Sequence, residues 1–135
     1  MYILDTNVIS EFHRPHPDRG VLEWVGAHDE AGLFISVITV MELEIGIRRL
    51  ERRDLDQARR LYEWFNHSVL EGFHGRILSL DLDAARRCVA SHVPDPAPER
   101  DALIAATASS RGFTVVTRNE KDFWRLGVPV VNPFF

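Results

Sequence analysis

The sequence predicts an α/β protein, a three-layer α/β/α sandwich around a mostly parallel central sheet, in a single domain over residues 1–135. Short β-like runs alternate with helix-like stretches along the whole length, which is the signature of that class. The runs, such as Tyr2-Ile3-Leu4 and Phe113-Thr114-Val115-Val116-Thr117, are brief and apolar, as buried strands are. At 135 residues, 45% hydrophobic and 27% charged, the chain can bury one substantial core. It shows no second domain, internal repeat or low-complexity segment.

Taken in order, Tyr2-Ile3-Leu4 is the first strand, and Asp5, a poor residue for a strand interior, marks its carboxyl end. Thr6 and Asn7 are placed to turn the chain and cap a short helix carrying Val8, Ile9 and Phe12. The two prolines of His13-Arg14-Pro15-His16-Pro17 stop that helix. His13 and His16 have no third ligand nearby in sequence, so the stretch reads as a surface loop. Asp18 caps a second helix with Val21, Leu22, Trp24 and Val25, and Gly32 precedes a second strand, Leu33–Ser36. Thr39 is the expected N-cap of the next helix, with Glu42 at its third position, forming a capping box. That helix is expected to reach about Arg53, with Met41, Ile45 and either Ile47 or Leu50 on its apolar face. Gly46 inside it costs about 1 kcal/mol relative to alanine, which suggests close packing against another backbone.

Asp54 or Asp56 opens a third long helix, with Ala58, Leu61, Tyr62, Phe65 and Val69 at three- and four-residue spacing. After a turn bracketed by Gly72 and Gly75, Arg76–Asp81 reads as a strand. Leu82–Val93 reads as a helix with Ala85, Cys88, Val89 and His92 on one side. Pro94–Pro98 is the clearest loop. Glu99–Ala108 is a helix whose small residues allow close packing, and Gly112 ends it. Phe113–Thr117 is a strand, and the proline-containing Val128–Val131 is a last, edge strand.

The formal net charge of -4 argues against a generally basic nucleic-acid binder, but not against a nuclease. Acids gathered in one pocket can dominate the total while basic residues line its rim. Arg48-Arg49, Arg52-Arg53 and Arg59-Arg60 are candidates for that rim; most are read as a solvated helix face paired with Glu51, Asp54 and Asp56. The single Cys88 excludes an internal disulfide and a cysteine-based metal cage, and is expected in the core. The apolar runs are too short to cross a membrane, and Met1 leads directly into a strand. A cytoplasmic protein without a signal peptide is therefore expected.

The chemistry gathers in acids at matching topological places. Asp5 follows the first strand, Glu42 opens the helix after the second, Asp101 opens the helix before the Val115 strand, and Asn119 and Asp122 follow that strand. If the strands are parallel, these groups can converge on one edge of the sheet. A turn or capping role is the plain alternative for Asp5, and the capping box is the alternative for Glu42. Converging carboxylates repel one another, and a divalent cation removes that penalty. Oxygen ligands suit Mg²⁺ or Mn²⁺ over zinc. Such a cation serves phosphodiester hydrolysis by polarising the phosphoryl oxygen and activating water. Neither a serine, cysteine or histidine nucleophile constellation nor a Gly-rich nucleotide-binding loop is evident.

Four segments together carry a resemblance: Leu4 to Ser10, Ser36 to Gly46, Asp101 to Ala108 and Val116 to Phe123. In order and spacing the chain resembles the PIN-domain family, and within it the VapC ribonuclease toxins of bacterial toxin–antitoxin pairs. It is similar above all to the FitB type, including the closing Val131-Asn132-Pro133. The resemblance implies an endoribonuclease dependent on Mg²⁺ or Mn²⁺. By it, Asp5 and Asp101 match the principal metal ligands, and Glu42 matches the second acid, which helps hold the metal directly or through water. Thr6 and Asn7 match the polar pair supporting the first aspartate. Many relatives carry Asp where this chain has Asn119, which keeps an oxygen but loses the charge. Asp122 is then the candidate fourth acid. The resemblance further implies a homodimer, a VapB- or FitA-like antitoxin, and operator DNA bound only through the antitoxin complex.

Rival readings are weaker on the residues. A receiver domain would show adjacent acids after the first strand, where Asp5 is single. A phosphatase of the haloacid dehalogenase type would carry a second acid at Asn7. A catalytically weak PIN-like scaffold, acting through RNA or antitoxin–operator binding, fits Asn119 but not the retention of Asp5, Glu42 and Asp101.

Overall fold

A computed structural model describes residues 1–135. Its sheet has five strands, all parallel. β1 (Tyr2–Leu4) is central, flanked by β2 (Leu33–Ser36) and β4 (Thr114–Val116). β3 (Ile77–Leu78) and β5 (Val130–Val131) form the edges, giving the order β3-β2-β1-β4-β5. The register pairs Tyr2 with Leu33 and Leu4 with Val116. The chain runs outward from β1 on one side, then returns to fill the other. The strand order therefore reverses at β1 and β4, and their carboxyl ends form the crevice where open α/β sheets bind ligands.

Alternation along the strands divides the core. Leu4 and Val116 face one layer with Val8, Val21, Leu43, Ile47, Phe65 and Val69. Ile3 and Val115 face the other with Ile104, Ala105, Ala108 and Phe123. The first layer holds α1 (Thr6–Ser10), α2 (Arg19–Gly26), α3 (Val37–Glu51) and α4 (Leu55–Trp64). The second holds α6 (Glu99–Arg111) and α7 (Glu120–Trp124), and α5 (Leu82–Cys88) packs on α6 through Cys88, Ala102 and Ala106. Cys88 is buried and free, and the alanines of α6 pack closely, as expected. No helix is long and apolar enough to cross a membrane.

Several expectations are corrected. Asp5, not Thr6 or Asn7, is the N-cap of α1, accepting from Thr6 N, and Thr6 and Asn7 lie inside the helix. α3 starts earlier than predicted because the Ser36 hydroxyl accepts from Ile38 N. Thr39 and Glu42 therefore sit within the helix, and there is no capping box. Ile38, Thr39, Leu43 and Ile47 face inward, while Met41 is 42% exposed. A Cβ on Gly46 would meet nothing within 4 Å, so close packing does not explain that glycine. Ala84 and Cys88 are buried on α5, while Ala85 and Val89 are exposed. The third strand is only Ile77–Leu78, since Asp81 turns to cap α5 by accepting from Ala84 N. The long helix opened by Asp54 continues beyond α4 as a π-helical stretch, Phe65–Glu71. The arginine pairs of α3 and α4 are solvated, but they form no ion pair with Glu51, Asp54 or Asp56.

Candidate active site

Asp5 leaves the end of the central strand and is 4% exposed. A buried carboxylate needs donors, and this one has three. Its Oδ1 accepts from Thr6 N at 2.8 Å, and its Oδ2 accepts from Thr117 Oγ1 at 2.8 Å and Asn7 Nδ2 at 3.3 Å. Thr117, one residue past β4, reaches Asp5 because β1 and β4 are neighbours. Its hydroxyl is fully used: it donates to Asp5 and accepts from Asn7 Nδ2 at 3.2 Å and Asn119 N at 3.0 Å. Asn7 Oδ1 in turn accepts from Arg118 N at 3.3 Å. This network locks the ends of β1 and β4 together around one carboxylate.

Glu42 comes in from α3. The Thr6 hydroxyl donates to its Oε1 at 3.0 Å and lies 3.1 Å from the hydroxyl of the buried Thr39. Having one proton, Thr6 gives it to the carboxylate and takes Thr39's. Arg100 of α6 stands 3.6 Å from Glu42 Oε2, tying the two helical layers across the sheet edge.

The acids act on one another. Burial pushes the Asp5 carboxyl up to about 6; the bonds from Thr117 and Thr6 oppose this, while Asp101 and Glu42 add to it. Asp101, in the first turn of α6, is also raised, first by burial and then by Asp122 and Glu42. Asp122 lies in the first turn of α7 and is exposed. The structure therefore brings Asp5, Glu42, Asp101 and Asp122 within electrostatic reach. No three acids or histidines close into a ready metal cage. Asn119 is the exposed N-cap residue of α7, and its side chain makes no hydrogen bond to that helix. His13 packs edge-on against Trp64 and His92 accepts from Ala97 N, so neither joins the acids as a metal ligand.

Sequence reasoning missed Thr117, Thr39 and Arg100. Thr117 closes a β-like run and looks like more strand, so its reach to Asp5 shows only once β4 is seen beside β1. Arg100 carried no signal. A larger hollow of about 510 Å³, walled by Phe12, Val25, Trp64 and Phe73 among others, contains none of the four acids, so volume does not identify the site.

Residues 2–128 match the PIN domain family. The chain belongs to the PIN-domain family. This PIN domain is 38% identical to the VapC ribonuclease Y4jK of Sinorhizobium fredii, over 99% of the chain and 98% of that protein. It is 36% identical to the Toxin FitB of Neisseria gonorrhoeae, over 99% of both. It superposes with a TM-score of 0.88 and 34% identity on a chain of FitAB bound to an IR36 DNA fragment, covering 100% of this chain and 96% of that one. PIN-domain ribonucleases are generally dependent on divalent metals.

Proposed function

We propose that this chain is a metal-dependent endoribonuclease, the toxin of a VapBC-type toxin–antitoxin pair. The observation that carries the reading is Asp5. A carboxylate buried at the switch point, held by three donors and repelled by two further acids, is costly to ionise unless a cation joins it. The sequence relatives named ribonuclease and toxin, matched over nearly the whole chain, supply the reaction class.

Asp5 and Asp101 are the proposed principal ligands. Glu42 assists directly or through water, Asp122 is the fourth acid, and Asn119 is a neutral oxygen donor. A set that does not close into a cage suits a hard cation that keeps much of its water, Mg²⁺ or Mn²⁺. When bound, such a cation supplies Lewis-acid polarisation of a phosphoryl oxygen and a lowered pKa for water. The chain's own residues prepare for it. Thr117, Asn7 and the Thr6 amide hold Asp5 in one orientation, and the Thr6 hydroxyl does the same for Glu42. Arg100 offsets part of the negative charge that an RNA phosphate must approach.

By the same reading, a single-domain homodimer acts in the cytoplasm on RNA. A VapB- or FitA-like antitoxin restrains it, and operator DNA is reached through that complex. The test is RNA cleavage by antitoxin-free protein with Mg²⁺, Mn²⁺ or EDTA, beside Asp5→Asn and Asp101→Asn. Cutting is expected only with metal and should fall at least 100-fold in both variants. A folded, metal-supplied wild type that cuts no RNA would leave a binding scaffold instead.

A further inference from the structure

A hollow of about 250 Å³ opens beside the acids. Three helical segments build it. The first turn region contributes Thr6 and His13, α3 contributes Glu42 and Gly46 one turn apart, and α4 contributes Leu61 and Trp64. His13, Leu61 and Trp64 are shared with a second hollow of about 540 Å³, which also takes in Arg14, Gln57 and Arg60. A groove thus leads from the Glu42 carboxylate over an aromatic sill to two cations. The sill is His13 packed edge-on against Trp64, ring centroids 4.8 Å apart. Arg60 is exposed and forms no ion pair, and no acid lines the far hollow. Arg14 is 55% exposed although paired with Glu11 at 3.3 Å.

Gly46 is an independent observation. Glycine inside a helix is destabilising relative to alanine. Its φ is not positive, and beyond its chain neighbours and its own helix's backbone nothing lies within 4 Å of where a Cβ would stand, so neither backbone nor packing demands glycine there. What the missing side chain leaves is room in the hollow, one turn from Glu42.

Building on the nuclease reading, we propose that this groove seats single-stranded RNA next to the scissile phosphate. One nucleotide lies against Gly46 with its base on the His13–Trp64 sill, and the following phosphate meets Arg60 and Arg14. Aromatic faces take unstacked bases and arginines take backbone phosphates, which is how proteins hold single strands. The cationic far end, lined by no acid and carrying the unpaired Arg60 beside the Glu11-paired Arg14, favours RNA over a peptide of the antitoxin.

Trp64 also touches the core, so its removal can unfold the chain; Gly46→Leu and Arg60→Glu are the informative variants. Affinity for a fluorescent single-stranded RNA is measured in EDTA, KM and kcat in Mn²⁺, and Tm for each protein. Gly46→Leu should melt at or above wild type, since leucine favours a helix over glycine. Its RNA affinity should fall at least tenfold, with KM rising in step and kcat moving less. Arg60→Glu should weaken binding and flatten the salt dependence of log K by roughly 0.7, the value of one single-strand phosphate contact. Wild-type affinity and KM in Gly46→Leu would overturn the proposal, as would a lowered Tm, which would give the glycine a packing role. Loss confined to binding of the co-expressed antitoxin would assign the groove to that peptide and also overturn it. If the wild type cuts RNA in these cases, only this inference falls; if it neither binds nor cuts, the nuclease reading falls with it.

Discussion

Asp5 concentrates the cost of the site in one residue. Folding raises its pKa from 3.8 to about 6, so the protonated form stabilises the fold fully below pH 4, and that stability is lost as pH rises through 6. The difference is about 3 kcal/mol. Asp101 shifts in the same direction. Without divalent cations, Tm should therefore be lower at pH 8 than at pH 5, and Mn²⁺ should raise it more at pH 8. Asp5→Asn should remove most of this slope; a variant that keeps it would show that the strain lies elsewhere. Thr117→Val removes the donor of the 2.8 Å bond to Asp5. It should cost about 1–3 kcal/mol, more at pH 8 than at pH 5, as a bond to a charged group does. Equal loss at both pH values would mean that Thr117 serves packing alone. Asp5 was legible in the sequence because a carboxylate ending an apolar run is chemically out of place there. Thr117 was not, because a threonine closing a β-like run looks like more strand.

α3 shows what local chemistry decides and how far a neighbouring residue can mislead. Thr39 and Glu42 have the spacing of a capping box, yet Ser36 caps the helix three residues earlier. Ser36→Ala should therefore lower stability by about 1 kcal/mol in urea unfolding, while Glu42→Gln should leave it within about half of that. The reverse order would restore the capping box. The shift has a functional side: Glu42, freed from the helix end, meets Thr6 and Arg100. Met41 was misplaced because two apolar rows run along this helix, and the buried one is Thr39, Leu43 and Ile47 rather than Met41 and Ile45. Gly46→Ala should add about 0.5–1 kcal/mol of stability, having nothing to collide with. Asp18 and Asp54 were legible as helix starts because each is an acid just ahead of a helical pattern, and each does accept a backbone N–H; Asp81, read as the end of a strand, does the same for α5. The shortness of β3 was not, because a two-residue strand is fixed by its neighbour Ile35–Ser36 rather than by its own composition.

Across the whole molecule, alternation of short apolar runs with helices was enough to read the layers, and carboxyl-end acids were enough to read the site edge. Strand order was beyond reach, because each pairing joins distant residues. The same topology governs when the site comes into being. Asp5 and Thr117 are 112 residues apart, and the carboxylate loses its shortest side-chain donor until both strands are in place. On a ribosome adding 5–20 residues per second, roughly 6–22 s separate the two. A nascent chain thus carries its first acid long before it can orient it, and N-terminal fragments should be inert toward RNA. Hydrogen exchange on ribosome-held chains should show β1 amides unprotected until β4 has emerged; early protection would mean that β1 folds onto β2 alone. A chain with this topology completes its acidic site only late in its synthesis.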